Sequence, residues 1–292
     1  MSAHHAVSLC AVEEHDLPSF ALVVATVDCG DGLRILLDSL ERQTHSRFRV
    51  LLIDQNDDDR VMPSIAASPA LDIVRLRAPR GLSRARNAAL AQIDTDIVAF
   101  PDDDCAYPDD LLERVATRFA ARADLEGMTG RTTDSAGRSS GNWSTAGGLL
   151  TRDTLWNRAN SASTFLRRQL VERVGDFDER LGLGSGSRWS SGEEIDYLVR
   201  ALDSGARIEF DPSVIVLHEL RTFTPEELRA VGFRDGASVG YILRTHGYPW
   251  RTVARMLVRP AGGILVSLAR LDIARARFHA ATLRGRLAGL RG

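Results

Sequence analysis

Four short clusters carry the residue types from which chemistry can be made: Asp102-Asp103-Asp104, Asp54-Gln55-Asn56, Glu193-Glu194 with Asp196, and His218. Three consecutive carboxylates repel one another unless solvent or a cation relieves them. A hard divalent ion with oxygen ligands would do so and leave positions for water and phosphate. The competing account is a solvated acidic turn ahead of a helix over residues 109–121; the apolar strand running into the triplet favours a site. Asp and Gln side chains can read the donor and acceptor edge of a nucleobase, which suits 54–56. The same run imitates a calcium loop, but its sixth position is Asp59 instead of Gly and its twelfth is Ile65 instead of Glu. Carboxylates at 193–196 either answer a helix dipole or supply a general base for a hydroxyl. His218 closes an apolar run (SVIVLH) and is either structural or a metal ligand.

The elements that must position these residues alternate. Residues 20–26 (FALVVAT) and 49–53 (RVLLI) are continuous apolar runs, as in strands buried on both faces. Between them Leu33, Leu36, Leu37 and Leu40 recur at helical spacing. A third strand is expected at 73–76, a helix at 82–93 and a fourth strand at 96–100, broken by Pro101. This is the pattern of a doubly wound parallel sheet. Its ligands bind beyond the carboxyl ends of the strands, where Asp28, Asp54 and the triplet fall. Residues 131–163 read as irregular. Residues 182–192 (GLGSGSRWSSG) form a flexible segment around Trp189, followed by a helix from 193 to a glycine stop at 205. Two short strands are expected around Pro212.

The chain has 292 residues, 44% hydrophobic and 26% charged, as in an ordinary folded protein. All 37 basic residues are arginine, the better phosphate ligand. The net charge of −2 hides an asymmetry: from residue 221 onward, 13 arginines face four carboxylates. The acidic front argues against a nucleic-acid partner; the basic tail points to an anionic one, most simply a membrane surface. Cys10, Cys29 and Cys105 fit neither a zinc site nor a disulfide framework. No basic segment followed by an apolar run opens the chain, and residues 260–269, its longest apolar stretch, are too short to span a bilayer. The expectation is a cytoplasmic protein, resting on the inner face of the membrane if the tail binds lipid.

In that tail, Trp250, Val253, Ala254, Leu257 and Val258 form one stripe, with Arg251, Arg255 and Arg259 beside it. Beyond Gly263 the row Val266, Ala269, Ile273, Ala276, Ala280, Leu283, Leu287, Leu290 steps by threes and fours, and Arg270, Arg277, Arg284 and Arg291 recur every seven residues. This is a basic amphipathic helix, suited to anionic lipid, to packing on its own domain, or to a homodimer through a heptad seam.

Taken in order, the segments resemble the family 2 glycosyltransferases of the GT-A fold. Ala25-Thr26-Val27-Asp28 stands at the end of the first strand and Asp54-Gln55-Asn56 at the end of the second. Gly81-Leu82-Ser83-Arg84-Ala85-Arg86-Asn87 follows, then Asp102 to Asp104 for the metal-binding Asp-x-Asp element. Val174-Gly175-Asp176-Phe177-Asp178-Glu179, Gly192-Glu193-Glu194-Ile195-Asp196 and His218 complete the match over about residues 19–220. The resemblance implies a GT-A type, Rossmann-like α/β fold: a mostly parallel sheet flanked by helices over 19–220, between a loose leader (1–18) and a C-terminal amphipathic helical region (221–292). It implies a donor site of Thr26, Asp28, Asp54, Gln55, Arg86, Asp102 and Asp103, with Arg86 reaching the diphosphate. Mn²⁺ or Mg²⁺ would be held by Asp104 and His218 with Asp102. Glu194 falls on the catalytic base, with Glu193 and Trp189 toward the acceptor. Val27 replaces a common aromatic, Gln55 a second carboxylate, and Glu194 an aspartate. The implied activity is inverting transfer from a nucleotide sugar, UDP-linked in first place, to a glycan or lipid-linked acceptor in bacterial cell-surface glycan or glycolipid synthesis. The alternatives are a nucleotidyltransferase, whose glycine-rich basic loop is missing after the first strand, and a catalytically inactive scaffold.

Overall fold

The computed structural model describes residues 17–28, 30–139 and 141–292. Nearly all of the expected leader, with Cys10 and also Cys29, lies outside the described residues. Strands β1 (Phe20–Thr26), β2 (Phe48–Asp54), β3 (Ile73–Arg77) and β4 (Ile97–Ala99) run parallel in the order β3-β2-β1-β4. β1 and β2 read as unbroken apolar runs because both faces are covered. Phe20, Leu22 and Val24 point into one core, with α1 (Gly32–Glu41) and α4 (Leu111–Ala121). Ala21 and Val23 point into the other, with α3 (Leu82–Leu90), α5 (Arg168–Val174) and α6 (Glu193–Asp203). A five-residue helix, α2 (Met62–Ala66), links β2 to β3.

Beyond β4 the sheet turns mixed. β8 (Thr164–Arg167) is antiparallel to β4, β6 (Gly127–Thr133) is antiparallel to β8, and β9 (Ile208–His218) is parallel to β6. The two-residue strands β5 (Cys105–Ala106) and β7 (Gly148–Leu149) both pair antiparallel with β9. The two strands expected around Pro212 are thus one. The register against β6 jumps between Thr129 and Arg131, from Phe210 to Ile215, so Pro212 sits in a bulge where its missing N–H costs no ladder bond.

Three helices end the chain: α7 (Pro225–Thr245), α8 (Trp250–Ala269) and α9 (Ile273–Arg291). The single helix expected beyond Gly263 is a hairpin, broken at Leu271, whose φ is +57°. α9 buries Ala276, Ala281, Gly285 and Gly289 inside the chain, the two glycines against α7; of the expected apolar row only Ala276 is among them. The apolar stretch at 260–269 is also only half of its helix. α8 has 20 residues and is long and apolar enough, by length and composition, to cross a membrane.

Candidate active site

The parallel register lines up the ends of three strands. Thr26 pairs with Asp54 and Asp54 with Arg77, so β1, β2 and β3 finish in one row. Asp54 is buried and held by Asn56 (Nδ2 to Oδ1 2.7 Å) and Arg75 (Nη2 to Oδ2 2.6 Å). Burial alone would raise its pKa; the Asn56 amide and the Arg75 guanidinium outweigh it and hold the carboxyl below the usual range. Asn56 also accepts the Asp28 amide at 2.7 Å, fixing Asp28 at φ +51°, and Arg80 grips the Asp28 carboxylate at 2.9 Å. Gln55 is committed to the backbone: its Oε1 accepts the Gly81 amide at 2.7 Å. Gly81 opens α3 at φ +134°, where a side chain would be strained.

The Asp triplet is set from both sides. Asp102 bridges to Ala25 beside β1, and the Cys105–His218 pairing of β5 with β9 brings Asp104 to the imidazole. Asp104 Oδ1 lies 3.1 Å from His218 Nε2, and Arg221 reaches Oδ2 at 3.2 Å. The His218 hydrogen bond lowers the Asp104 pKa, and Asp104 raises that of His218. Burial pushes Asp102 up to about 6 and raises Asp103. From below, the start of α1 approaches so closely that a Cβ on Gly32 would sit 2.9 Å from Asp104 Cβ.

Among the described residues no three His, Cys, Asp or Glu side chains form a group able to hold a metal. Two do fit one. Adjacent ligand atoms on an ion with bonds of about 2.1 Å stand roughly 3 Å apart, which is the Asp104–His218 separation. One carboxylate and one imidazole leave positions for phosphate oxygens and water. An imidazole suits Mn²⁺ better than Mg²⁺, which prefers oxygen throughout.

These groups line a cleft of about 740 Å³ walled by Asp28, Gln55, Arg80, the Asp triplet, His218 and Arg221. A second pocket of about 440 Å³ adjoins it and shares Leu82, Asp102, Leu183 and Arg234. Glu194 lines this second pocket, on the first turn of α6. Burial and the neighbouring Glu193 raise its pKa to about 8.

Three expected roles meet a different geometry. Arg86 is only 2% exposed; its guanidinium lies against both the Phe100 and Phe177 rings and pairs with Glu193 at 2.9 Å, with a further bond to Ser161. It therefore faces α6 and not a diphosphate, and Glu193 is buried in that pair. Trp189 is buried and stacked on Tyr241, centroids 5.2 Å apart, so it anchors the glycine-rich segment from beneath while Leu183 and Gly184 meet the cleft. Arg80, Arg221, Arg234 and Asp235 line the site although sequence reasoning does not single them out. For the last two a signal existed: Thr224-Pro225-Glu226-Glu227 is a capping box with Pro at N1, and it starts α7.

Sheet order, strand-end carboxylates and paired pockets define a GT-A type glycosyltransferase. The chain belongs to glycosyl transferase family 2, whose family model matches residues 21–169. It is 26% identical over 230 residues to the glycosyltransferase AglE of Haloferax volcanii, covering 75% of this chain and 72% of that protein. It is also 26% identical over 266 residues to a pre-mycofactocin glycosyltransferase of Mycobacterium tuberculosis, 86% of this chain but 52% of the relative, about half its length. Among solved structures it resembles the mannosyltransferase PcManGT from Pyrobaculum calidifontis in complex with GDP-Man and Mn²⁺ (TM-score 0.62, 15% identity, covering 96% of this chain and 89% of that one). It likewise resembles S. aureus TarS 1-349 in complex with UDP-GlcNAc (TM-score 0.60, 15% identity, 92% of each). Likeness at these identities is a likeness of fold.

Proposed function

We propose that the protein moves a sugar from a nucleotide-diphosphate sugar to an acceptor hydroxyl with inversion at the anomeric carbon. The observation that carries this is the meeting of two pockets at Asp102, one walled by Asp104 and His218, the other by Glu194. In this reading Asp28 and Gln55 line the nucleoside end of the cleft, with Asp54 and Asn56 holding Asp28 from behind, and Asp102 and Asp103 face the ribose. Arg221 and Arg234 add positive charge beside the diphosphate. Glu194 takes the proton from the acceptor hydroxyl, whose oxygen bonds to the anomeric carbon as the bond to the diphosphate breaks on the opposite face. Arg86 holds Glu193, and through it the start of α6, in place. A Mn²⁺ or Mg²⁺ ion held by Asp104 and His218 would neutralise charge developing on the leaving diphosphate. TarS and PcManGT bind a UDP- and a GDP-sugar respectively; a UDP-sugar is the first donor to test. The reading includes a cytoplasmic location and a glycan or lipid-linked acceptor for the bacterial cell surface.

The test is a thermal-shift panel of UDP-, GDP- and dTDP-sugars, with and without Mn²⁺, on wild type and Asp104→Ala. A true donor raises the melting temperature by mass action. A metal-dependent shift for one nucleotide class, lost in the variant, is the expected result. No shift for any donor, with the protein folded, would overturn the reading in favour of a scaffold.

A further inference from the structure

Helix α8 is built inside out. The face it buries carries Thr252, Met256, Pro260 and Ser267, mostly small or polar. The face it exposes carries Trp250 (74% exposed), Val258 (66%), Leu265 (69%) and Leu268 (47%), one stripe by helical spacing. The stripe continues past the helix end into Leu271 (84%) and Ile273 (49%). A helix in water hides its apolar face, so this one is arranged for an apolar surrounding. Its supports are of the same kind: Gly236 and Gly240 of α7 meet the backbone of α9 so closely that a Cβ would lie 2.4 and 2.2 Å from carbonyl oxygens. Small residues that let backbones touch are how helices pack in lipid.

Charge names the occupant. Arg251, Arg255 and Arg259 form a row along one edge of the stripe, and Arg270, Arg275 and Arg277 flank its tip. Arg255 pairs with Asp153 at 2.8 Å; among the described residues the other five form no ion pair. We propose that the exposed stripe of α8, with Leu271 and Ile273, lies in the plane of an anionic leaflet, apolar side chains in the acyl boundary and the flanking arginines at the headgroups. A transmembrane course is disfavoured by the same residues: three arginines sit in the first half of α8, and α9, which packs along it, carries five more. This inference does not depend on the glycosyl-transfer reading, because lipid binding needs no donor.

The experiment is co-sedimentation of the full chain with phosphatidylcholine vesicles and with vesicles one-third phosphatidylglycerol, alongside Leu265→Glu/Leu268→Glu and Arg270→Ser/Arg277→Ser. Both positions of the first pair are exposed, and unchanged melting temperatures confirm that the variants fold. Expected are binding to the anionic vesicles, loss by at least tenfold in the glutamate variant, and loss of the preference for anionic lipid in the serine variant. Wild type should show blue-shifted tryptophan emission on binding, absent in Trp250→Phe. No binding of wild type, or equal binding of the glutamate variant, would overturn the proposal. So would a lipid-free dimer in sedimentation velocity that the glutamate variant dissociates and that binds no vesicles, since a second copy would then be the occupant.

Discussion

Glu194 and Arg86 show how burial makes a side chain either reactive or rigid. A base in the Glu194 environment holds its proton well above the acidic range, because burial and Glu193 disfavour the charged form. Transfer needs the carboxylate, so kcat/KM should climb with pH, pass its midpoint near pH 8 and level off only above it, an acid limb that a donor-and-acceptor rate profile would reveal. Glu194→Gln should lower kcat by about 10²–10⁴-fold and leave the thermal shift from donor intact; a loss below tenfold would remove Glu194 from the chemistry. The stability sign runs the other way. Between the unfolded value near 4.5 and the folded value near 8 the native state binds the extra proton, so wild type loses stability as pH rises through that window. Melting curves should therefore show Glu194→Gln gaining on wild type toward pH 8 and the gap closing at pH 5. Arg86 answers a different need. Arg86→Met strands the buried Glu193 carboxylate and should cost about 3–5 kcal/mol in urea unfolding, with Glu193→Gln added to it recovering part of the loss. No recovery would mean that the guanidinium's packing on Phe100 and Phe177 dominates.

Elements differ in how plainly their residues announce them. β1 and β2 are legible because burial on both faces leaves only apolar residues, and Asp28, Asp54 and Asp102–Asp104 follow as the polar stops where each strand leaves the core. The Asp104–His218 contact is not legible, since a two-residue strand makes it through one pairing, Cys105 with His218. α7 is obscured for another reason. Its buried face includes Gly232, Gly236 and Gly240, residues that disfavour a helix in isolation but let it lie against α9. The break at Leu271 carries neither Gly nor Pro to mark it. α7 also supplies Arg234, Asp235 and Ser238 to the second pocket, so its seating should govern acceptor binding. Gly236→Val forces a branched side chain where even a Cβ would fall 2.4 Å from the Thr282 carbonyl oxygen. Overpacking of this kind costs typically about 1–3 kcal/mol. Steady-state kinetics should show a raised acceptor KM and a smaller rise in donor KM, since of Arg234, Asp235 and Ser238 only Arg234 also lines the first cleft. Equal effects on both substrates would mean that the displacement reaches the Asp104 side as well.

At the scale of the molecule, the sequence divides near residue 220, where composition turns from acidic to basic, but packing crosses that line. Ala237, Tyr241, Ile242 and Leu243 of α7 share one core with Trp189, Ile195 and Tyr197. Polar contacts cross with them: His246 Nε2 meets Asp196 Oδ1 at 2.7 Å, the Tyr241 hydroxyl donates to Asp178 at 3.2 Å, and Tyr248 donates to the Arg152 carbonyl at 3.0 Å. Asp196 sits on the same first turn of α6 as Glu194, so the C-terminal helices brace that turn directly. A chain ending at residue 220 would expose Trp189 and leave Asp196, already buried, without its imidazole. Such a fragment should not melt cooperatively: calorimetry is expected to show one transition for the full chain and none, or a broad one at much lower temperature, for the fragment. A fragment that kept a sharp transition and full donor binding would make the helices an appendage. The second pocket would then have to be functional without its α7 wall, which the positions of Arg234 and Ser238 argue against.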